Sequence, residues 1–335
     1  MNPVRIGLLH PGQMGAAVGA QLVAAGHGVR WLRTGRKPES VRRAADAGLR
    51  GVDTMGELLS ACNVVLSICP PAAAGDVAAE VASAAPAAGF TGVFVDANAI
   101  SPNRMARIAD LFAGTGVAVL DGAIIGGPPA GSSSARVYLS GPAEAVSLVS
   151  GLLAGTRAAP VDLDRRLGTA SALKMAFGCF QKASRALAAV SHALADDYGV
   201  TPALLAEATA LGRNALTDRD HLASVAARAW RWGPEMHEAA AAFAERGLPT
   251  DLATAAAAVF GRWNADRDAW DLGVTAALDH LRASATVPIP PPASVATPPP
   301  ASVPGRPPAS VPSPPAVPTA PPAAEPASGD RRPVS

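Results

Sequence analysis

The stretch from Val4 to Gly15, VRIGLLHPGQMG, restricts the fold more than any other part of the chain. A short apolar run from Val4 to Leu9 stops at a histidine, a proline and a glycine, and small and apolar residues at helical spacing follow. This order predicts a strand, a tight turn and the amino end of a helix. In the first βα unit of a nucleotide-binding domain, the helix dipole and free backbone N–H groups bind a pyrophosphate at this point.

The turn matches two of the three glycines in the dinucleotide fingerprint GxGxxG, since Gly12 and Gly15 fit and the first glycine does not. Gly12 would let phosphates approach the backbone, and Gly15 would let the helix pack closely on the strand. An ordinary βα turn without a ligand is the alternative. We expect six residues here to bind a dinucleotide: His10, Pro11, Gly12, Gln13, Met14 and Gly15.

Up to about residue 160, apolar runs alternate with small-residue helical patterns. The patterns predict strands at 4–9, 29–32, 63–69, 92–96, 117–121 and 137–140, and helices at 44–48, 55–61, 75–84 and 103–113. Continuous apolar strands that alternate with helices are typical of a mainly parallel sheet covered on both faces. We therefore predict an α/β, Rossmann-type N-terminal domain over residues 1–163.

The pattern changes after that point. Residues 168–198 contain no proline and predict one helix of roughly 30 residues, about 45 Å long, which joins two domains. Helical patterns continue at 204–216, 222–230, 234–246 and 250–281, the last in one or two pieces. We predict an all-α domain over 164–285, with roles in substrate binding and dimerisation. A Pro- and Ala-rich tail follows over 286–335, in which PASV recurs at 292, 300 and 308, and this composition predicts disorder.

Composition excludes several classes of protein. The net charge is +1, charged residues make up 16% of the chain, and no basic patch is interleaved with aromatic residues, so we expect no nucleic-acid partner. The three cysteines form no CxxC pair and the histidines form no HxxxH pair, so we expect no metal site. No apolar run reaches the length of a membrane span, and a soluble, cytoplasmic protein is expected.

The end of the second predicted strand indicates the type of cofactor. NAD-binding domains place an acidic residue there for the ribose hydroxyls, whereas NADP sites use cationic and hydroxyl groups. Here the strand ends in WLRTGRK, with no acid before Glu39. Arg33, Thr34 and Arg36 can bind a 2′-phosphate, and we expect NADP(H) to be preferred over NAD(H). A solvated basic loop is the alternative.

Lys174 is the candidate for proton transfer. A lysine on a helix normally faces water, but apolar neighbours on nearly the whole circumference predict that this stretch is buried: Leu173, Met175, Ala176, Phe177, Cys179 and Phe180. Burial lowers the pKa of a lysine, as a proton shuttle near neutral pH requires. Gly178 and Gln181, one and two turns further on, share its face, and we assign both to the substrate site.

Two loops that follow predicted strands are further site candidates, because open α/β sheets bind ligands there. In residues 96–102 we assign Asn98 to both the cofactor and the substrate sites. In 121–129, where paired Gly and Pro predict a rigid loop, the substrate candidates are Ile125, Gly126 and Gly127; turn chemistry alone is the alternative. We add Cys69 and Pro70 to the cofactor site and Trp230 to the substrate site, although Trp230 and Trp232 fit a helical core as well.

These motifs, in this order, resemble those of the β-hydroxyacid dehydrogenase superfamily, which includes the 6-phosphogluconate and 3-hydroxyisobutyrate dehydrogenases. The resemblance covers about residues 4–281, is strongest to a phosphogluconate-dehydrogenase-like, NAD-binding branch, and excludes the tail. Its carriers are GLLHPGQMG (7–15), SICPP (67–71), DANAISP (96–102), DGAIIGGPP (121–129), LGTASALKMAF (167–177) and AWRWGPEM (229–236).

The resemblance implies an N-terminal dinucleotide domain, a long interdomain helix and a helical C-terminal domain that commonly builds a dimer. It also implies hydride transfer between NAD(P) and a hydroxyl-bearing carbon. The family lysine falls on Lys174, which would protonate the carbonyl oxygen in reduction or accept the hydroxyl proton in oxidation.

The chain departs from the family at the groups that hold a substrate carboxylate. The family's substrate-loop serine aligns with Ile125, its asparagine one turn past the lysine aligns with Gly178, and a Ser-Thr pair becomes Asn98-Ala99. We therefore expect an enlarged, less polar pocket and a substrate that is not a short 3-hydroxy acid bound in the usual way.

The leading hypothesis is an NADPH-dependent oxidoreductase that reduces a carbonyl or oxidises the matching alcohol. Reduction of an imine is the second hypothesis, because relatives with altered polar groups at the site reduce C=N bonds. The lysine at position 174 argues somewhat against it. The third is a non-catalytic NADPH-binding protein with the proline-rich tail as its interaction arm.

Overall fold

The structure is a computed structural model that describes residues 4–212 and 214–283. The tail predicted to be disordered, 286–335, lies outside these residues, and so does the end of the predicted second domain at 284–285. Within the described ranges, no helix combines the length and the apolar content that a membrane span requires.

Within the described residues, eight strands form one sheet: β1 Arg5–Leu9, β2 Gly28–Leu32, β3 Arg50–Val52, β4 Val64–Ser67, β5 Val93–Asp96, β6 Ala118–Gly126, β7 Ala135–Ser140 and β8 Ala158–Asp162. Their order across the sheet is β3-β2-β1-β4-β5-β6-β7-β8. Neighbouring strands are parallel except for β6 and β7, which are antiparallel. The mainly parallel sheet is thus confirmed.

Two strands were not predicted. β3 has only three residues, two of them exposed, and lacks an apolar run. β8 contains Pro160, and a proline predicts the end of a strand because it cannot donate a hydrogen bond to the strand ladder. Proline is tolerated here because β8 is an edge strand of the sheet.

In the described part of the chain, six α-helices connect the strands and cover the sheet: α1 Gln13–Ala24, α2 Pro38–Asp46, α3 Met55–Ser60, α4 Ala74–Ala88, α5 Pro102–Leu111 and α6 Ala143–Leu153. One buried cluster joins strand residues such as Ile6 to α1 and α6. A second joins residues such as Val65 and Phe94 to α3, α4 and α5. The parallel strands are therefore buried on both faces, which explains their continuous apolar runs.

The rest of the described chain is helical: α7 Thr169–Asp197, α8 Thr201–Ala210, α9 Leu222–Ala244, α10 Asp251–Gly261 and α11 Val274–Ala283. The long helix predicted over 168–198 is present as α7, and Gly168 precedes it with a φ of 91°. α7 contacts β6 as well as α9 and α10. It therefore links the sheet to the helical region, while the division into domains at residue 163 stays a prediction.

The predicted break between residues 230 and 234 is wrong, because α9 continues through Pro234. Proline removes one helical hydrogen bond and normally kinks or ends a helix. Here Ala229 and Met236, on either side of it, are both buried in the helical core. Packing of both halves against the same core outweighs the loss of one backbone bond.

Four sheet positions form a row across the centre of the fold. Leu9 of β1 pairs with Ser67 of β4, Ser67 pairs with Asp96 of β5, and Asp96 pairs with Asp121 of β6. β1, β4 and β5 end at this row, so the loops that follow them leave from one edge of the sheet. β6 continues past the row to Gly126.

Candidate active site

The turn after β1 leaves the amino end of α1 open. His10, at the position of the first fingerprint glycine, has a φ of 70°, and its carbonyl oxygen accepts the Gly12 N–H at 2.8 Å. Among the described residues no side chain caps α1, which begins at Gln13. The backbone N–H groups of its first turn therefore remain available to an anion, as a pyrophosphate site requires.

His10 is a half-buried imidazole in this turn. Its Nδ1 atom is buried and has no hydrogen-bond partner among the described residues. Burial, and the nearby positive charge of Arg36, lower the pKa of His10 to about 4. The side chain is therefore neutral at physiological pH and adds no positive charge to the turn.

The two fingerprint glycines have different surroundings. A β-carbon placed on Gly12 would meet no atom within 4 Å, whereas one placed on Gly15 would lie 2.5 Å from the His10 carbonyl oxygen. Gly15 thus allows the close approach of helix and turn, and Gly12 leaves open space at the amino end of α1. A nicotinamide dinucleotide fits this turn, because both features are what the fingerprint provides.

The loop after β2 contains an ion pair that the sequence pattern did not indicate. Arg33 pairs with Asp53, and the Thr34 hydroxyl donates to the Asp53 carbonyl oxygen at 2.7 Å. Arg36 donates to the Leu32 carbonyl oxygen at 3.4 Å, and burial lowers the pKa of its guanidinium. Asp53 follows β3, so it lies close in space but twenty positions away in the sequence.

Asn98 ties the loops after β4 and β5 together. Its amide oxygen accepts the Cys69 N–H at 2.6 Å, and its amide nitrogen donates to Ser67 at 3.1 Å and to Asp96 at 2.9 Å. Asn98 is buried, so its amide is engaged within the protein, whereas Pro70 is exposed on the adjoining loop. Burial raises the pKa of Asp96 to about 7.

Lys174 reaches β6 beyond the row of strand ends. Its Nζ atom donates to the Ile124 carbonyl oxygen at 2.5 Å, and the side chain is partly buried. Removal from water lowers the pKa of Lys174; Glu235 opposes this shift and Lys182 adds to it. A partly buried amine with a lowered pKa releases its proton more readily than an exposed lysine does, which suits a general acid or base.

The expected burial of the whole circumference of α7 is wrong. Phe177 is 41% exposed and Phe180 is 77% exposed, while Met175 and Cys179 are buried. Only one side of this part of α7 faces β6 and α9, so the other side is left to solvent in the single chain. An all-apolar helix surface does not show by itself whether a neighbouring element covers it.

Asp121 anchors the first turn of α7. Its carboxylate accepts the Ser171 N–H at 3.0 Å, the Ser171 hydroxyl at 2.7 Å and the Ser140 hydroxyl at 3.1 Å. The Ser140 hydroxyl oxygen in turn accepts the Ala170 N–H at 3.0 Å. The four groups are buried, so this network fixes the helix that carries Lys174 against β6.

The segment 121–129 is not a loop throughout, which corrects the sequence-based expectation. Strand β6 extends to Gly126, and Ile125 is buried opposite Arg136 of β7. Pairing with β7 continues the ladder past the row where the parallel strands stop. Gly126 has a φ of 129°, and a β-carbon on Gly127 would lie 2.7 Å from the Ser133 hydroxyl oxygen. Both glycines therefore allow the tight turn that begins here.

Beyond Lys174 on α7, a lysine that the sequence did not indicate reaches the site. Gly178 is buried, and a β-carbon there would lie 3.4 Å from Nζ of Lys182, which donates to Glu235 of α9 at 2.5 Å. Gln181 is exposed. The two charged residues make this end of the site more polar than the sequence indicated.

Trp230, the last substrate candidate, and its neighbour Trp232 make their ring contacts with other residues. Trp230 contacts the guanidinium groups of Arg267, 3.8 Å from the ring centroid, and Arg231, at 5.7 Å. Trp232 packs edge-on against Phe260 of the helical core. Neither contact involves the residues around Lys174.

The arrangement defines a class of protein. A dinucleotide-type turn at the carboxyl edge of a mainly parallel sheet is typical of a nicotinamide-dependent oxidoreductase. The family model for the NAD binding domain of 6-phosphogluconate dehydrogenase matches residues 5–160. A second model, a domain of unknown function (DUF1932), matches residues 195–263. These matches support the β-hydroxyacid dehydrogenase family and, with it, an NAD(P)-dependent oxidoreductase that acts on CH–OH groups.

One similar enzyme supports this assignment by its sequence, and two solved structures share the fold alone. L-threonate dehydrogenase of Cupriavidus necator is 33% identical over 199 residues, which span 59% of this chain and 66% of that enzyme. The fold is shared with 3-hydroxyisobutyrate dehydrogenase of Mycobacterium tuberculosis, with a TM-score of 0.68 and 21% identity over 84% of this chain and 99% of the other. It is also shared with 3-hydroxyisobutyrate dehydrogenase of Salmonella typhimurium, with a TM-score of 0.65 and 18% identity over 82% and 99%.

Proposed function

We propose that the protein is an NADPH-dependent oxidoreductase that interconverts an alcohol and a carbonyl of a small molecule, with Lys174 as general acid and base. The observation that carries this proposal is the contact of the partly buried Lys174 Nζ with Ile124, beyond the strand ends from which the dinucleotide turn departs. The bound nicotinamide supplies the acceptor or donor of the hydride. The chain itself supplies the proton.

The direction of reaction sets which form of Lys174 is active. In oxidation the neutral amine accepts the hydroxyl proton, so the rate rises as pH increases through the pKa of Lys174. In reduction the ammonium group donates a proton to the carbonyl oxygen, so the rate falls over the same range. Because burial lowers this pKa, both transitions occur below the ordinary range of a lysine.

Lys174→Ala and Lys174→Arg test this assignment together. Alanine removes the proton carrier, and arginine keeps the charge but stays protonated at all accessible pH values. Both variants should bind NADPH with wild-type affinity in a fluorescence titration and lose roughly 10²- to 10⁴-fold in turnover. Turnover retained by either variant removes Lys174 from the mechanism.

For the cofactor, we propose that His10 to Gly15 hold the pyrophosphate and that Arg33, Thr34 and Arg36 bind the 2′-phosphate of NADP(H). Two features support this: no side chain of the described residues caps α1, and no acid ends β2. Arg33 must exchange Asp53 for the phosphate, which is feasible because that pair is half exposed. The double variant Arg33→Ala, Arg36→Ala should lose the preference for NADPH over NADH, measured as a ratio of dissociation constants. An unchanged ratio would make the 2′-phosphate assignment wrong.

For the substrate, we propose that Ile125 to Gly127, Gly178 and Gln181 border the pocket beside Lys174. Cys69 and Pro70 would contribute to the neighbouring cofactor site, and Asn98 would border both sites through its backbone, since its amide is already engaged. Trp230 remains a candidate for the outer wall. A panel of hydroxy acids that includes L-threonate, the substrate in the name of the Cupriavidus necator relative, is the direct assay for the substrate class.

Imine reduction is the second candidate, favoured by Gly178 and Ile125 in place of the family's polar groups. Pairing each ketone of the panel with its cyclic imine separates the two reactions. Cofactor binding without turnover of any ketone, alcohol or imine would instead indicate a non-catalytic NADPH-binding protein. In that case, removal of residues 286–335 should abolish partner capture.

We also propose that the protein acts as a homodimer in the cytoplasm. Large apolar side chains on one side of α7 are exposed in the single chain: Phe180, Leu187, Leu194 and Tyr198. A second copy would bury this surface. Leu187→Glu should shift the mass in analytical ultracentrifugation from dimer to monomer, and an unchanged mass would exclude α7 from the interface. The three cysteines are free thiols, as in a reducing compartment.

A further inference from the structure

Lysine is rare in this chain. Of the 28 basic residues, Lys37, Lys174 and Lys182 are the only lysines, and all others are arginines. Two of the three lie eight residues apart on α7. Arginine presents a planar fork that stays protonated, whereas lysine presents a compact charge on a flexible stem. The part of α7 around Gly178 therefore holds two of the three primary amine side chains in the sequence.

Lys182 is placed to reach the space beside Lys174. It is only 6% exposed, its Nζ atom donates to Glu235 at 2.5 Å, and it lies 3.4 Å from the β-carbon that Gly178 lacks. Side chains on a helix lean toward its amino end, so Lys182 extends back by one turn. Its ammonium group stands level with Gly178, about 6 Å along the helix axis from the Cα atom of Lys174.

The charges here do not balance when both lysines are protonated. Within the described residues, Glu235 and Lys182 are the charged groups that act on Lys174, one with each sign. Arg104 of α5 and Glu238 of α9 form a separate ion pair, and Glu238 also accepts the Ser101 N–H. Two cations and one carboxylate leave one positive charge uncompensated in a poorly hydrated site, which favours a negatively charged ligand.

We propose that Lys182 is a specificity-determining residue whose ammonium group, presented over Gly178 and held by Glu235, binds a carboxylate or phosphate group of the substrate beside Lys174. The inference rests on the proposed dehydrogenase function. It assigns the anion to a residue one turn beyond the position where the resemblance places an asparagine. A β-carbon at Gly178 would be in ordinary van der Waals contact with the Lys182 Nζ atom, so the two positions share one space.

Calorimetric titration of the full-length protein tests the proposal, both with saturating NADP⁺ and without cofactor. The probes are L-threonate, its neutral amide L-threonamide, and inorganic phosphate. Lys182→Met should weaken binding of the anion by about tenfold or more, because a charge-assisted bond is lost. The dissociation constants of L-threonamide and NADP⁺ should stay within about twofold, since neither contacts this charge.

Two further variants distinguish recognition from a structural role. Glu235→Gln should tighten anion binding, because the competing carboxylate is removed from Lys182. Arg185→Met is the matched control. It removes another cation of α7, which pairs with Asp218 at 3.6 Å, and it should leave the dissociation constants of the anion, L-threonamide and NADP⁺ unchanged. A purely structural ion pair would instead give weaker binding in both Lys182→Met and Glu235→Gln.

The relative affinities for the two anions identify the acidic group of the substrate. Tighter binding of phosphate than of L-threonate identifies a phosphorylated substrate, and the reverse identifies a carboxylic acid. The proposal is overturned if the wild-type protein binds neither anion, if Lys182→Met binds the anion normally, or if it loses acid and amide equally. If Lys182→Met no longer binds the anion but Lys174→Ala keeps turnover, the proposed reaction is wrong and the anion site stands. If Lys182→Met binds the anion normally but Lys174→Ala loses turnover, only the anion site is rejected.

Discussion

The pair Gly12→Ala and Gly15→Ala separates ligand binding from folding at the dinucleotide turn. At Gly12 the backbone has φ −69° and ψ −172°, which alanine adopts without strain, and its β-carbon would meet no atom within 4 Å. The free protein should therefore change in stability by less than about 1 kcal/mol. The new methyl group projects into the space at the amino end of α1, so NADPH affinity should fall by about tenfold or more, equivalent to about 1.4 kcal/mol.

Gly15→Ala should act on the protein itself. Its β-carbon would lie 2.5 Å from the His10 carbonyl oxygen, about 0.9 Å inside the 3.4 Å at which ordinary contact begins. Since a backbone atom must shift, we expect a loss of roughly 1–3 kcal/mol in the free energy of unfolding. At roughly 2–4 °C per kcal/mol this lowers Tm by about 2–12 °C. Thermal unfolding without ligand and fluorescence titration with NADPH measure both quantities, and wild-type affinity in Gly12→Ala would refute the phosphate site.

Three further predictions concern the residues that support the site. Ser171→Ala removes the 2.7 Å hydrogen bond to Asp121 at the start of α7, so kcat should fall by about tenfold while the affinity for NADPH is unchanged. Ser171→Thr keeps the hydroxyl and should restore kcat. An unaltered kcat in Ser171→Ala would contradict the anchoring role. Asp53→Asn frees Arg33, so the NADPH-to-NADH ratio of kcat/KM should rise, while thermal stability should stay close to that of the wild type because the pair is exposed; a lower ratio would argue against the assignment. Burial raises the pKa of Asp96 to about 7, so the folded protein binds this proton more tightly than the unfolded chain does, and the free energy of unfolding should decrease from about pH 4 to pH 7. Denaturant titrations should show a flatter profile in Asp96→Asn, and equal slopes would exclude Asp96 as the cause.

The sequence predicted the fold where one physical cause dominates. The apolar runs of the central strands and the proline-free stretch of α7 reflect burial and helix propensity directly, and both are present. The edge strand β8, the helix α6 and the continuous course of α9 through Pro234 were missed. In β8 and α9 a proline argues locally for a break, and the outcome depends on sheet position and on packing, which a linear pattern does not contain.

The site was predictable to the extent that its residues form contiguous motifs. The glycines of the first turn and Lys174 stand in such motifs. Asp53 and Glu235 do not, because each meets its partner, Arg33 or Lys182, through tertiary contacts across 20 and 53 positions. One signal was available: two of three lysines share a helix in a chain that otherwise uses arginine.

The central claim is that Lys174 is a proton-transferring amine beside a bound nicotinamide, and its own titration tests this most directly. With only three lysines in the sequence, the ¹³Cε NMR signals of ¹³C-labelled lysine can be assigned with three single substitutions. We predict that the signal lost in Lys174→Arg titrates below the ordinary lysine value of about 10.4 and shifts when NADP⁺ is added. Titration at the ordinary value, with no response to NADP⁺, would contradict the account.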